Sequence, residues 1–426
     1  MKKTVFVLLL LALAASLVFA GGSRAASGGT GPQTITLMHF MGEQAKRDGL
    51  QSWCDEITRR DSQIRFDITP ITDAPAYLQL IRTKIAAGDP ADIMMGAVRD
   101  YLDLIDAGHI ADITNKPYMR NYDPEIISAS AVNGKVYGIP IDMGLILVFY
   151  NKDIFARYNL QVPRTYAEFI RICETLRSNN VNPLSLGFRD RWMAGADFMM
   201  DWYQVLNKNR DMFVEIDAGR RKFADYPEFR RAMERARQRL ALATANPFGT
   251  NNDHSIQAFA RGDAAMLPNG TWSISTVREL GPQGNFGLFC LPADNEADSV
   301  ARLFVDDAFM ISSRTTKTAA IDSFFEYALS TEGMNIWVEN TKLSPAVKGI
   351  TIRSPDSMLI DANAVISSGK TIFADVVPGP VGSLFDILCN VFSPNFLADQ
   401  SRSIDQHLAE LDFQYAEQAA AIRAAR

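Results

Sequence analysis

TITLMHFMGEQAKRDGLQSWCDEITRRDSQIRFDITPI, residues 34–71, decides the class of fold. Residues 34–40 are a short apolar run suited to a buried strand. Leu50, Trp53 and Ile57 then recur at helical spacing within residues 45–60. Residues 64–71 return to strand-like alternation. Beyond them, residues 77–87 read as an amphipathic helix ended by Gly88, and residues 92–95 as a further strand. A β-α-β-α-β order implies parallel strands with helices on both faces. Ligands of such sheets sit beyond the carboxyl ends of the strands. That rule points to the loops after Phe40 and after Met95.

The remaining chain continues in the same style. LILVFY (145–150) is a continuous apolar run that suits a central strand. Residues 166–179 form a helix, with Thr165 as N-cap and Glu168 completing a capping box. Residues 230–245 are an Arg/Ala-rich helix, 286–291 and 303–311 are strands, and 319–330 and 404–423 are helices. In AFARGDAAMLPNGTW (258–272), Phe259, Ala265 and Met266 are core residues. Gly262 and Asn269-Gly270 read as turns, which bring Trp272 to the mouth of a cleft.

The 426 residues exceed one comfortable core and suggest about two domains. An apolar content of 47% with 22% charged residues is that of a globular chain. The net charge is −6 and no Lys/Arg block stands out, so a nucleic-acid partner is not expected. Lys2 and Lys3, the apolar run 5–18 and Val18-Phe19-Ala20 read as a signal peptide over residues 1–20. That run is too short for a comfortable membrane span. Gly21 stands where a lipid-anchored protein would need Cys, and residues 21–32 form a flexible Gly/Ser tether. Cys54, Cys173, Cys290 and Cys389 are scattered and read as buried thiols instead of disulfides.

Catalytic signatures are thin. There is no GxSxG elbow and no HExxH, and His39, His109, His254 and His407 each stand alone. SSGKT (367–371) lacks the first glycine of a phosphate loop, since Ala364 occupies that position. Asp294, Glu296 and Asp298 read as a solvated turn. No metal or cofactor is expected. Asp142, Asp306 and Asp307 are harder to set aside, because each adjoins an apolar strand. A carboxylate pair serves a glycosidase, and carboxylates equally accept hydrogen bonds from bound sugar hydroxyls.

Four segments in order carry a resemblance. They are KIAAGDPADIMM (84–95), YGIPIDMGLILVFYNKDIFARYNLQVPRTYAEF (137–169), AFARGDAAMLPNGTW (258–272) and DDAFMISSRTTKTAAIDSFFEYALSTEG (306–333). Together they resemble the extracellular solute-binding proteins of ABC importers, the sugar-binding kind typified by the maltose-binding protein. The resemblance implies an α/β, two-lobed clamshell, each lobe a mainly parallel sheet flanked by helices and joined by a multi-segment hinge. Residues 33–142 and 273–310 would form lobe one, and 143–272 and 311–426 lobe two, with crossings near Asp142, Trp272 and Ile311. Ligand would sit in the cleft and favour the closed state.

Carried over position by position, the resemblance implies that His39, Phe40 and Glu43 contact ligand from the first loop, and Arg99 from the loop beyond DIMM. Asp142, Gly144, Asp306 and Asp307 would serve at the hinge, with Gly144 admitting ligand close to the backbone. Arg191, Trp192 and Trp272 would face the cleft from lobe two, Trp272 as a stacking platform. Phe40 and Tyr166 stand where Trp is commoner in the family. The implied protein is an exported, periplasmic monomer that performs no chemistry and hands a carbohydrate to membrane permeases. A polyamine, peptide or organic-anion ligand, the last through Arg99 and Arg191, is the alternative, with an exported glycosidase behind it.

Overall fold

The computed structural model describes residues 32–374 and 383–424. The expected signal peptide and nearly all of the expected tether lie outside them. The described chain opens with β1 (Gln33–His39), α1 (Gln44–Arg60), β2 (Ile64–Pro70), α2 (Ala74–Ala86) and β3 (Ile93–Met95). Short β4 (Ile139–Pro140) precedes β5 (Asp142–Asn151), which carries the chain into a second unit. There follow α3 (Tyr166–Ser178), β6 (Asn182–Leu184), α4 (Arg191–Lys208), α5 (Pro227–Leu242) and α6 (Asn252–Ala260). Then come β7 (Ala264–Gly270), α7 (Ile274–Leu280), β8 (Phe286–Phe289) and β9 (Ala301–Val305). The chain returns through β10 (Ala308–Ile311), α8 (Thr318–Ala328) and α9 (Thr331–Thr341). Its last passage holds β11 (Ser344–Pro345), α10 (Ser357–Ser367), β12 (Thr371–Phe373) and α11 (Ile404–Ala424).

Two large sheets define the two lobes, and a two-stranded sheet of residues 131–132 and 135–136 stands apart from them. The first runs β2-β1-β3-β10-β4, and the second β12-β9-β5-β7-β6, with β8 and β11 also paired to β5. Parallel pairs occur in both: β1 with β2 and β3, β9 with β12, and β6 with β7. Antiparallel pairs join the strands at the hinge, where β5 leaves lobe one while the β9–β10 passage enters it. Oppositely directed crossings can pair only that way. Antiparallel pairs also run through lobe two, where β5 pairs with β7 and β8, so the lobe-two sheet is mixed and not mainly parallel as expected.

Local signals start the helices where the sequence places them. Asp73 caps α2 by accepting from the Ala76 amide at 2.8 Å. Thr165 caps α3 through the Glu168 amide at 3.3 Å. The reciprocal half of that box is shifted by one residue, because Glu168 accepts from the Arg164 amide at 2.8 Å.

The returning chain divides differently from the expectation. Residues 273–305 belong to the second sheet and its core, whereas β10, α8 and α9 complete lobe one. Trp53 of α1 stacks on Trp337 of α9 at 4.7 Å and donates from Nε1 to the Gly333 carbonyl at 2.7 Å. The crossings therefore lie at Asp142, at Asp306–Asp307 and after β11, and Trp272 stays within lobe two. Asn269-Gly270 is the buried end of β7 and not a free turn, while Gly262 does turn the chain, at φ +81°. All four cysteines are unpaired, and no described helix is long and apolar enough to cross a membrane.

Candidate ligand-binding cleft

A cavity of about 800 Å³ opens between the lobes. That volume is within the range of small-molecule sites, roughly 300–1,000 Å³. Lobe one lines it with the start of α1 (Glu43, Gln44 and Arg47) and with Thr72 beyond β2. Lobe two contributes Asp190, Trp192, Asn252, Trp272 and Thr276, among others. The wall thus lies beyond the carboxyl ends of β1 and β2, where a parallel sheet presents ligand.

Two tryptophans dominate the lobe-two wall. Trp192 sits in the first turn of α4 and is 42% exposed, although it is a large aromatic residue. Trp272 follows β7 in a single tight turn, half-buried, with its ring 5.9 Å from Trp192 and 6.1 Å from Phe304. Gly270 makes that position attainable: a Cβ there would lie 2.0 Å from the Trp272 ring. Asn269 steadies the same strand end by donating to Asn252 Oδ1 at 2.9 Å.

Of the other expected contact residues, Glu43 borders the cavity and several are placed elsewhere. Gly144 offers no approach to the backbone, because a Cβ there would meet the Phe304 ring at 2.5 Å; it is a packing glycine. Arg191 turns away from the cavity, donating to the Asn390 carbonyl at 3.1 Å and to Asn395 Oδ1 at 3.0 Å. Phe40 is half-buried against Tyr77 at 5.2 Å. Arg99 is exposed in the turn that follows β3. Glu43 borders the cavity at the N-cap of α1.

The hinge carboxylates form one buried cluster. Lys46 reaches Asp306 at 2.9 Å and Asp307 at 2.7 Å. Asp142 accepts from Trp337 Nε1 at 2.6 Å and from the Asp307 amide at 3.0 Å. Burial, reinforced by the Asp307 charge, raises the Asp142 carboxyl well above its usual range. Burial likewise pushes Asp307 up to about 6, against the pull of Lys46. Lys46 keeps its charge despite its own burial, because Asp306 and Asp307 flank it. The three carboxylates could together bind a cation, but the Lys46 ammonium already stands among them. Asp142 and Asp307 are sealed from the cleft, and only Asp306, its side chain 12% exposed, approaches solvent. Lys46 escaped the sequence reading, yet it lies four residues before Leu50 on the apolar stripe of α1.

His39 is buried, and its Nδ1 accepts from the Met41 amide at 3.2 Å. Burial, helped by the nearby Arg47 charge, lowers its pKa to about 4. The folded value lies below the unfolded one, so the unfolded chain takes up this proton first as pH falls. The associated stability is whole above about pH 6.5 and disappears toward pH 4, with about 2 kcal/mol lost by pH 5. His39→Asn retains an acceptor for the Met41 amide but does not titrate. Urea unfolding across this window should show a flatter pH profile in the variant; an identical slope would rule His39 out as its source.

The family model described as bacterial extracellular solute-binding protein matches residues 11–335. The chain is 21% identical over 322 residues to a multiple sugar-binding protein of Streptococcus mutans, covering 74% of this chain and 76% of that one. It is 23% identical over 323 residues to the maltodextrin-binding protein MdxE of Bacillus subtilis, covering 70% and 73% of the two chains. Among solved structures it is similar to RafE in complex with raffinose, at a TM-score of 0.71 and 20% identity, over 91% of this chain and all (100%) of that one. A chitin oligosaccharide binding protein superposes at a TM-score of 0.76 and 17% identity, over 91% and 100% of the chains. Two sheets joined by crossing strands, a cavity between them and a family model spanning most of the chain lead to one conclusion: the chain belongs to the bacterial extracellular solute-binding proteins.

Proposed function

We propose that this protein is the substrate-binding component of an ABC importer, which captures a sugar or short oligosaccharide between its lobes and delivers it to a membrane permease. The observation that carries the reading is the tryptophan pair: Trp192 and Trp272 stand side by side in a cavity otherwise rich in hydrogen-bonding groups. A sugar ring has an apolar C–H face, which an aromatic ring covers, and an edge of hydroxyls. Those hydroxyls need partners once they leave water. Thr72, Asp190, Asn252 and Thr276 are of the types that supply them. The relatives named for multiple sugars and maltodextrin, and the fold neighbour holding raffinose, support the same class of ligand. In this reading the protein works outside the cytoplasm as a monomer, needs no cofactor and leaves its ligand chemically unchanged. Glu43, Trp192, Trp272 and Asp306 are the residues proposed to meet the ligand, the first three from the cavity wall and Asp306 from the hinge.

The test is thermal unfolding of the mature protein against raffinose, stachyose, maltodextrins, xylo-oligosaccharides and chitin oligosaccharides. A true ligand at a hundredfold excess over its dissociation constant should stabilise the fold by about 2.7 kcal/mol. The bound sugar should be recovered intact. Melting curves that no sugar moves would remove the sugar reading, and hydrolysis products would return the glycosidase.

A further inference from the structure

The cleft carries a charge pattern that a neutral sugar does not require. Its lining holds four carboxylates, Glu43 from lobe one and Asp190, Asp253 and Glu279 from lobe two, against a single guanidinium, Arg47. Arg47 is turned onto its own helix start, where it donates to the Met41 and Gly42 carbonyls and to Gln44. Arg191, between the lining residues Asp190 and Trp192, faces the Asn390 carbonyl and Asn395. Asp190 accepts from the Asn252 amide at 2.8 Å. Asp253 and Glu279 are exposed and Glu43 half-exposed, so their field reaches the entrance. The two tryptophans add a preference of the same sign, because an indole face attracts a cation through its quadrupole. Aromatic faces beside carboxylates complement an ammonium group and repel an anion.

We propose that the cleft selects by charge: it favours a sugar bearing a free amino group over the N-acetylated, neutral counterpart, and rejects uronic-acid and phosphorylated sugars. The inference rests on the sugar-binding reading above and refines its ligand class. The same ammonium chemistry could come from a polyamine, and the test separates the two sources.

The field can be measured without knowing the ligand. Of the five tryptophans, Trp53, Trp202 and Trp337 are fully buried, so ionic quenchers in water report on Trp192 and Trp272. Caesium should quench this fluorescence at least about twofold more strongly than iodide, relative to free N-acetyltryptophanamide. The ratio should approach unity in about 0.5 M salt, where screening is short-ranged, and in the Glu43→Gln/Glu279→Gln double variant. Calorimetry then compares short oligomers of glucosamine, N-acetylglucosamine and galacturonic acid, with spermidine alongside. The amino form should bind at least about threefold tighter than the N-acetyl form, and the uronate weakest, with the gap narrowed in the double variant. Iodide quenching as strong as caesium, a uronate or N-acetyl form binding tightest, or a gap untouched by the double variant would each overturn the proposal. So would spermidine binding tighter than the amino sugar, which would assign the cleft to a polyamine. Failure of all three sugars would overturn it too, but the sugar reading itself falls only if the neutral melting panel is also silent.

Discussion

Replacing Arg239 with methionine is expected to lower the unfolding free energy by about 3–5 kcal/mol. Arg239 is 0% exposed in the last turn of α5, although arginine is almost never fully buried without a partner. It has two. Nη2 reaches Asp197 Oδ2 at 2.8 Å and Nη1 reaches Asp201 Oδ2 at 2.6 Å, while Nε donates to Asp197 Oδ1 at 3.1 Å. Asp201 is also buried, and desolvation already pushes its pKa upward while Arg239 pulls it down. Without the guanidinium, Asp197 loses its ion pair in the core between α4 and α5, and Asp201 keeps only the longer contact to Arg235 at 3.5 Å. The Asp201 carboxyl, already raised by burial, is then raised further, so the loss should be greatest near neutral pH and shrink as the pH falls toward the carboxylate range. Urea unfolding at pH 7 and pH 5 measures both effects. The triple change Arg239→Met/Asp197→Leu/Asp201→Leu should recover part of the loss, because a matched apolar set can replace a buried ion network. A loss in the single variant below about 1 kcal/mol, within the range of ordinary surface pairs, would show that the network is not holding the lobe.

Trp272→Ala should weaken sugar binding by about 3 kcal/mol, more than a hundredfold in the dissociation constant, with a smaller effect on the melting temperature of the free protein. The ring is half-buried, with Phe304 and Trp192 beside it and Gly270 beneath it, and it borders the cavity. A platform of this kind contributes by covering a ligand face, and no small residue replaces that area. Gly270→Ala makes the argument sharper, because Trp272 itself is unchanged. An added methyl 2.0 Å from the ring must tip it out of place, and affinity should drop part of the way. Isothermal titration with the best sugar from the melting panel reads both variants. Wild-type affinity in Trp272→Ala would assign the residue to packing against Phe304 alone.

Much of this architecture is legible in the amino-acid sequence. The 34–95 region folds as its periodicities indicate, and the apolar run LILVFY lies within β5, the strand that enters lobe two. Trp272 lines the cavity because β7 ends one turn before it. Less legible was where the returning chain lies. LFV and AFMI flank Asp306-Asp307 and resemble one continuous strand, yet they join different sheets and the two acids are the crossing itself. One-dimensional pattern records burial but not which core does the burying. The acidic loop at Asp294 and Asp298 is solvated as its composition indicates, and its carboxylates in addition pair with Arg231, Arg235 and Lys208. The ion network does carry a signal in the sequence. Asp197 and Asp201 are spaced i,i+4 on a helix that is otherwise nearly all apolar, and Arg235 and Arg239 repeat that spacing on α5. Complementary pairs at one spacing on two helices mark faces that meet.

The position of β10 bears on how the protein is made. It lies between β3 and β4 in the first sheet, but it is synthesised after the central strands of the second sheet, β5 to β9. Until residues 308–341 emerge, the amino-terminal segment has an open slot in its sheet, unpaired strand edges and a Trp53 with no Trp337 to cover it. Such a half-lobe exposes apolar surface and free backbone groups, the features that make a nascent chain aggregate. Closing it requires contacts between residues far apart in sequence, which slows folding. Neither lobe can therefore be obtained by simple truncation, and a cut in the Asp306-Asp307 passage would sever the route by which the first lobe receives its missing strand.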